Sequence, residues 1–390
     1  MSRRRQAGTV GRALLLLSLV PATLEAQTPD SGRAGASAST PAQTPDSGRA
    51  GPSAPTATHA PTYPLAPTAV VEMRAFSPRI ALSGYLSALA TYHDDSTAAV
   101  INRARLTGML GPLPYIGVRL QAQFSSATVG RKRADSPPPA FAVTDAYVQI
   151  SPPVAALGPG TLAAWLRPAL LVGQFKAPFS LDYLTPVTLL KTVDRAQAVD
   201  QLALKRDIGV SGQIRWSRFG ALAVAAMNGS GANTISNPAN ELLAVSRLTV
   251  SPLPFLAASA KIADRGADHA WGYDGRFLWR ALTVEGETVF RRRSTSATAR
   301  LEAGGGYALV AWRVRPWLEP VYKYDRYWDT RFTTSGTNAT GEATNRTWNV
   351  VGMNVVSVPE WLRLQLEWRH RHERPTPAGN ELRAQLIAAF

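Results

Sequence analysis

The sequence predicts an all-β fold: a transmembrane, antiparallel, up-and-down β-barrel of about 16 strands occupying residues 76–390. Three observations predict it. Apolar residues recur at every second position from about Arg79 to the end of the chain. The connections between these stretches are alternately long and short. The last stretch ends on an aromatic residue, in a chain that opens with an export-type leader.

The leader comes first. Arg3, Arg4, Arg5 and Arg12 precede the apolar run Ala13–Val20, which is far shorter than the ~20 residues a membrane-spanning helix needs. Ala26 provides a cleavage site, with Leu24 in the minus-three place. Residues 1–26 therefore read as a secretory signal peptide. Its removal takes away four arginines and Glu25, which lowers the formal charge from +15 to +12. A basic exported chain points to anionic lipid or small anions as partners, and away from nucleic acid. There is no cysteine, which excludes disulfides and thiolate metal sites, and the five histidines are scattered. No metal or other cofactor is expected.

Residues 27–72 are compositionally distinct. AQTPDSGRAGASASTP (26–41) recurs as AQTPDSGRAGPSAPTA (42–57). Such Pro/Ala/Ser/Thr-rich repeats have almost nothing apolar to bury, so this segment reads as a disordered spacer.

The alternating stretches follow. They cover 79–92, 98–110, 115–125, 141–150, 165–177, 206–216, 219–228, 241–250, 255–263, 271–280, 281–291, 305–315, 317–328, 346–356, 361–371 and 381–390. In PYIGVRLQAQF (114–124), Ile116, Val118, Leu120, Ala122 and Phe124 share one face, and Arg119, Gln121 and Gln123 share the other. In the second stretch Val100, Ala104, Leu106 and Leu110 lie opposite Arg103 and Arg105. Further on, Ile208, Val210, Ile214 and Trp216 oppose Asp207, Ser211, Gln213 and Arg215. Trp271, Tyr273, Phe277 and Trp279 oppose Asp274 and Arg276. Val310, Trp312 and Val314 oppose Arg313 and Arg315. Leu362, Leu364, Leu366 and Trp368 oppose Arg363, Gln365, Glu367, Arg369 and Arg371. Tryptophans at strand ends (Trp165, Trp216, Trp271, Trp279, Trp317, Trp328, Trp361, Trp368) suit interfacial girdles in contact with outer-membrane lipid and lipopolysaccharide.

The connections set the topology. Long ones include HDDST, SSATVGRKRADSPPPA, 178–205, NGSGANTISNPAN, DRGADHA, RRSTSATAR, TRFTTSGTNATGEATN and HERPTPAGN. The intervening ones are short (GPLP, SR, SPLP, Arg280–Ala281, Pro316 and SVPE), apart from 151–164. A meander with all its long loops at one end is how outer-membrane barrels are built, and it locates the chain in a bacterial outer membrane. The final ELRAQLIAAF puts Leu382, Ala384, Leu386, Ala388 and Phe390 on one face. A closing aromatic of this kind is similar to the signal by which the barrel assembly machinery selects its clients.

With the greasy face outward, the lumen holds Arg103, Arg105, Arg119, Lys176, Arg215, Arg276, Arg313, Arg315, Lys323, Arg363 and Arg369 as candidates for an anion path. A low-dielectric tube lined by one sign of charge concentrates ions of the other. An arginine paired across the lumen with Asp145, Asp207, Glu285, Glu287, Glu319, Asp325 or Glu367 contributes little field, which is the plainer reading for any single residue. About 16 strands leave an open bore. Loop 178–205 joins apolar Leu184, Leu189, Leu190 and Val193 to Lys191, Arg195, Lys205 and Arg206. It is expected to fold inward as a constriction, the alternative being a loop packed over the rim or a neighbouring subunit.

The segment LLVGQFKAPFSLDYLTP…VDRAQAVDQLALKRDIGVSGQI (170–214) resembles the phosphate-selective porin O and P family. The resemblance rests on Gly173, Gln174, Phe175, Lys176, Pro178 and Phe179, then Asp194–Arg195, then Arg206, Asp207 and Gly209, with weaker echoes in RARL (103–106), DAYV (145–148), NGSG (228–231) and EPVYKYD (319–325). It covers most of 76–390, and 170–214 is its specific part. The resemblance implies a sixteen-stranded homotrimeric outer-membrane porin that passes small anionic solutes, phosphate or polyphosphate in the best-known members, along an arginine ladder and a lysine ring. The reading is thus of a passive channel and not an enzyme. One alternative is a lipase- or protease-like barrel enzyme. His93, His269, His370 and His372 fall near expected loops, but no serine motif accompanies them. The other alternative is a plugged structural or adhesive barrel.

Overall fold

Strict alternation gives each strand one face for lipid and one for the bore, and closure leaves no unpaired edge in the bilayer. The computed structural model takes this form. It describes residues 79–93, 96–113, 115–124, 141–152, 165–216, 219–237, 240–296, 299–335, 338–374 and 379–390. The expectations for 1–26, 27–72 and the connection 125–140 lie outside the described residues.

Sixteen antiparallel strands pair in chain order and close on themselves. They are β1 (Arg79–His93), β2 (Ser96–Leu113), β3 (Ile116–Phe124), β4 (Phe141–Ile150), β5 (Pro168–Lys176), β6 (Arg206–Trp216), β7 (Gly220–Met227) and β8 (Leu243–Leu253). Then follow β9 (Leu256–Arg265), β10 (Asp268–Trp279), β11 (Leu282–Ser296), β12 (Ala299–Trp312), β13 (Leu318–Ser335), β14 (Asn338–Val356), β15 (Leu362–Arg374) and β16 (Gly379–Ala389). Among the described residues no helix is long and apolar enough to cross a membrane, and no cluster of His, Cys, Asp or Glu could hold a metal ion.

The seam joins β1 to β16, from Tyr85↔Ala389 to His93↔Glu381. Phe390 extends it. Its N–H donates to the Gly84 carbonyl and the Gly84 N–H donates back, both at 3.0 Å. A Cβ at Gly84 would fall 2.6 Å from the Phe390 ring, so the closing aromatic fits because position 84 has no side chain.

Register follows the expected faces in β3. Val118 pairs with outward Leu110 and Val148, while Gln121 donates to Thr107 Oγ1 across the inner face at 2.7 Å. Trp271 and Trp279, both outward, bracket the lipid-facing part of β10. Eight residues at about 3.3 Å each, tilted by about 40°, rise about 20 Å, close to the apolar band of an outer-membrane barrel.

Three features differ from what the sequence predicts. A bulge in β2 pairs Ser87 with Arg103 but Ala88 with Ile101. The inserted residue reverses the alternation, so Ile101 is exposed outward and Val100, opposite buried Leu89, shares the inner face. Arg315, expected on the inner wall, lies in an exposed turn because β12 ends at Trp312. Most of the expected loops RRSTSATAR and TRFTTSGTNATGEATN is strand. β11–β12 pair out to Ser296↔Ala299 and β13–β14 out to Ser335↔Asn338.

The apolar core lies inside the barrel. Phe175, Phe179, Val199 and Leu202 pack against Ala225, Val245, Ala263, Val289 and Ala303 of the wall, and Val187 and Leu190 pack against Tyr85 and Ile387.

Candidate functional site

The segment 177–205 between β5 and β6 carries helix α1 (Leu181–Leu184), a 3-10 turn (Val187–Leu189) and helix α2 (Gln197–Leu202). Such a segment exposes backbone groups that neither helix nor sheet can satisfy, so its burial requires partners from elsewhere. The inner wall supplies them.

Carboxylates of the wall accept from the loop backbone. Glu287 Oε2 accepts from the Asp182 N–H (2.9 Å) and the Ser180 hydroxyl (3.0 Å). Glu367 accepts from the Val193 N–H and Asp325 from the Gln197 N–H, each at 2.5 Å. Cations and amides of the wall donate to its carbonyls. Arg247 reaches Phe179 (2.6 Å), Lys323 reaches Asp194 (2.8 Å), Asn354 reaches Lys191 (3.0 Å), and Arg363 and Gln365 share Leu190 (3.1 Å each). Ion pairs complete the attachment. Lys191 meets Glu319 at 2.7 Å, Arg369 meets Asp194 at 3.0 Å, and Arg383 also binds Asp194. Burial favours the neutral acid at Asp194, but Arg369 and Arg383 outweigh it and hold the carboxyl well below the usual range. Burial likewise lowers Lys191, with Glu319 opposing it.

Below this attachment is a fully buried charge chain. Arg247 grips Asp274 through both nitrogens at 2.7 Å, and Lys261 bridges Asp274 (3.2 Å) and Glu287. Arg247 and Lys261 were missed by the sequence reading. Their signal was available, since each sits on the inward parity of its strand. Gly305 lets the loop sit close: its Cβ would fall 2.9 Å from the Ala198 Cβ of α2.

The candidates therefore separate into groups. Lys323, Arg363 and Arg369 hold the loop. Arg313 is at the short-turn end, bonded to Glu319 and Glu360. Arg215 and Arg103 occupy the inner face, and Lys205 is exposed beside Asp200. On the opposite wall, Arg105 donates to Gln123 (2.6 Å), and Arg206 and Arg119 both bind Asp145 (2.6 and 3.3 Å). Lys176 donates to the Tyr183 and Leu184 carbonyls (2.9 and 3.1 Å). Lys176, Arg195 and Arg206 surround the Tyr183 ring, with their charges 5.2–5.7 Å from its centroid. Arg276 pairs with Glu285 at 2.8 Å. Between this wall and loop residues 184–191 lies a cavity of about 490 Å³, on the short-turn side of the loop.

The model of the family described as phosphate-selective porin O and P matches residues 86–272, which includes this wall and the whole loop. The matched residues are a little under half of the chain, and over them it is similar to the phosphate-selective porin O and P family. It is an outer-membrane porin channel. No curated protein matches the sequence significantly. Among solved structures, the porin is similar to an anion-selective porin from Comamonas acidovorans, at 10% identity and a TM-score of 0.53, over 80% of this chain and 100% of that one. It is also similar to OmpF of Salmonella typhi in complex with daunomycin (7%, 0.55, 80% and 98%). A third similar structure is the trimer form of OmpT, an outer-membrane protein of Vibrio cholerae (10%, 0.53, 81% and 100%). Identities this low establish the shared barrel fold alone.

Proposed function

We propose that the porin passes small anions, phosphate among them, by passive diffusion through the gap between loop 177–205 and the cationic wall of β2, β3, β5 and β6. The loop acts as the constriction. One observation carries this reading: on the near wall Arg119 and Arg206 share Asp145, while Arg105 bonds the neutral Gln123 and Lys176 the loop carbonyls of Tyr183 and Leu184, so these four cations meet one carboxylate on their side of the cavity. That imbalance in a low-dielectric bore attracts anions. The anion-selective relative from Comamonas acidovorans supports it, as the trimer form of the Vibrio cholerae relative supports a homotrimer. We extend the proposal to an exported precursor cleaved after Ala26, assembled through Phe390 and embedded beside lipopolysaccharide. The test is the reversal potential of single channels across a potassium chloride gradient. The reading predicts the sign set by chloride; a potential set by potassium would overturn it.

A further inference from the structure

The cavity under the loop has two different sides. Seven cationic side chains line it (Arg105, Arg119, Lys176, Lys191, Arg206, Arg276 and Arg363) against two carboxylates, Asp145 and Glu285. Leu184, Pro186, Val187, Leu189 and Leu278 line it too and add apolar surface, mostly on the loop side.

The donors nearest Tyr183 are already used. Arg206 gives Nε to Asp145, Nη1 to the Tyr183 hydroxyl (3.0 Å) and Nη2 to Gln121 (3.5 Å). Lys176 gives two of its three hydrogens to loop carbonyls. A small tetrahedral oxyanion needs several free donors converging on one point to replace its hydration, and beside Tyr183 those of Arg206 and two of the three of Lys176 are committed to the protein. The wall offers net positive field: among the described residues Arg105 and Lys176 bond only neutral acceptors. A carboxylate can satisfy that field with few donors. An apolar body attached to it gains by contact with Leu184, Val187 and Leu189, where an inorganic ion only loses water.

Resting on the anion-channel reading above, we propose that this cavity selects organic anions with an apolar body, of the aromatic or aliphatic carboxylate class, over inorganic phosphate. The experiment uses the purified porin in planar bilayers in potassium chloride, with benzoate, acetate and inorganic phosphate added separately as blockers of the chloride current. Benzoate is expected to block at roughly a tenth of the concentration that acetate or phosphate requires, because only it presents apolar surface to the loop. Leu189→Ser should bring benzoate towards acetate. Block by phosphate at lower concentration than benzoate, or equal block by benzoate and acetate, would overturn the proposal. The reversal potential of the same channels separates the two readings. Potassium selectivity defeats the anion channel itself; chloride selectivity without a benzoate preference defeats only this assignment.

Discussion

Leu120 points outward from the middle of β3 and is 57% exposed, with Arg119 and Gln121 on the inner side of it. Its environment is lipid, so Leu120→Arg should cost about 2–4 kcal/mol if it lies near the midplane. Urea titration of the protein folded into lipid vesicles measures the loss. Lys261 is the inward counterpart. It is wholly buried between Asp274 and Glu287, which are themselves buried. Removing one member of such a set leaves an unbalanced charge, so Lys261→Met should destabilise by about 3–5 kcal/mol. Asp274 keeps Arg247, so the exposed deficit is at Glu287. The double variant Lys261→Met, Glu287→Gln should recover most of the loss in the same titration.

At the scale of elements, the loop is held by the wall's charges and not by its own helices, which have four and six residues. Asp194 illustrates the consequence. Its folded pKa is depressed, so its contribution is present above the unfolded value of about 3.9 and is lost only as pH falls through the lower folded value. The Asp194 corner should therefore stay clamped from neutral pH to about pH 4, adding no open-channel current noise of its own over that range. Asp194→Asn should show that noise already at neutral pH. The strands were legible in the sequence because period-two alternation is imposed residue by residue by lipid on one side and water on the other. The inward loop was legible only as an apolar stretch in a polar position. Its attachment was not, because Glu287, Asp325 and Glu367 could equally have paired with wall arginines, and only the fold shows them accepting from loop N–H groups. Val100 was placed on the wrong face because one bulged residue leaves no mark in composition. Arg315 was misplaced because parity was extended past the end of β12.

For the whole molecule, the decisive property is segregation. Apolar side chains face acyl chains, and charge is collected inside, where part of it solvates a buried loop and the remainder lines a passage. A cysteine scan tests this most directly, since the chain contains no cysteine and any introduced thiol reports without background. Arg119→Cys and Val118→Cys, neighbours on opposite faces of β3, are each treated in planar bilayers with an impermeant anionic thiol reagent. The account predicts that current falls for the variant at 119 and is unchanged for the variant at 118; block at 118 with no reaction at 119 would contradict it.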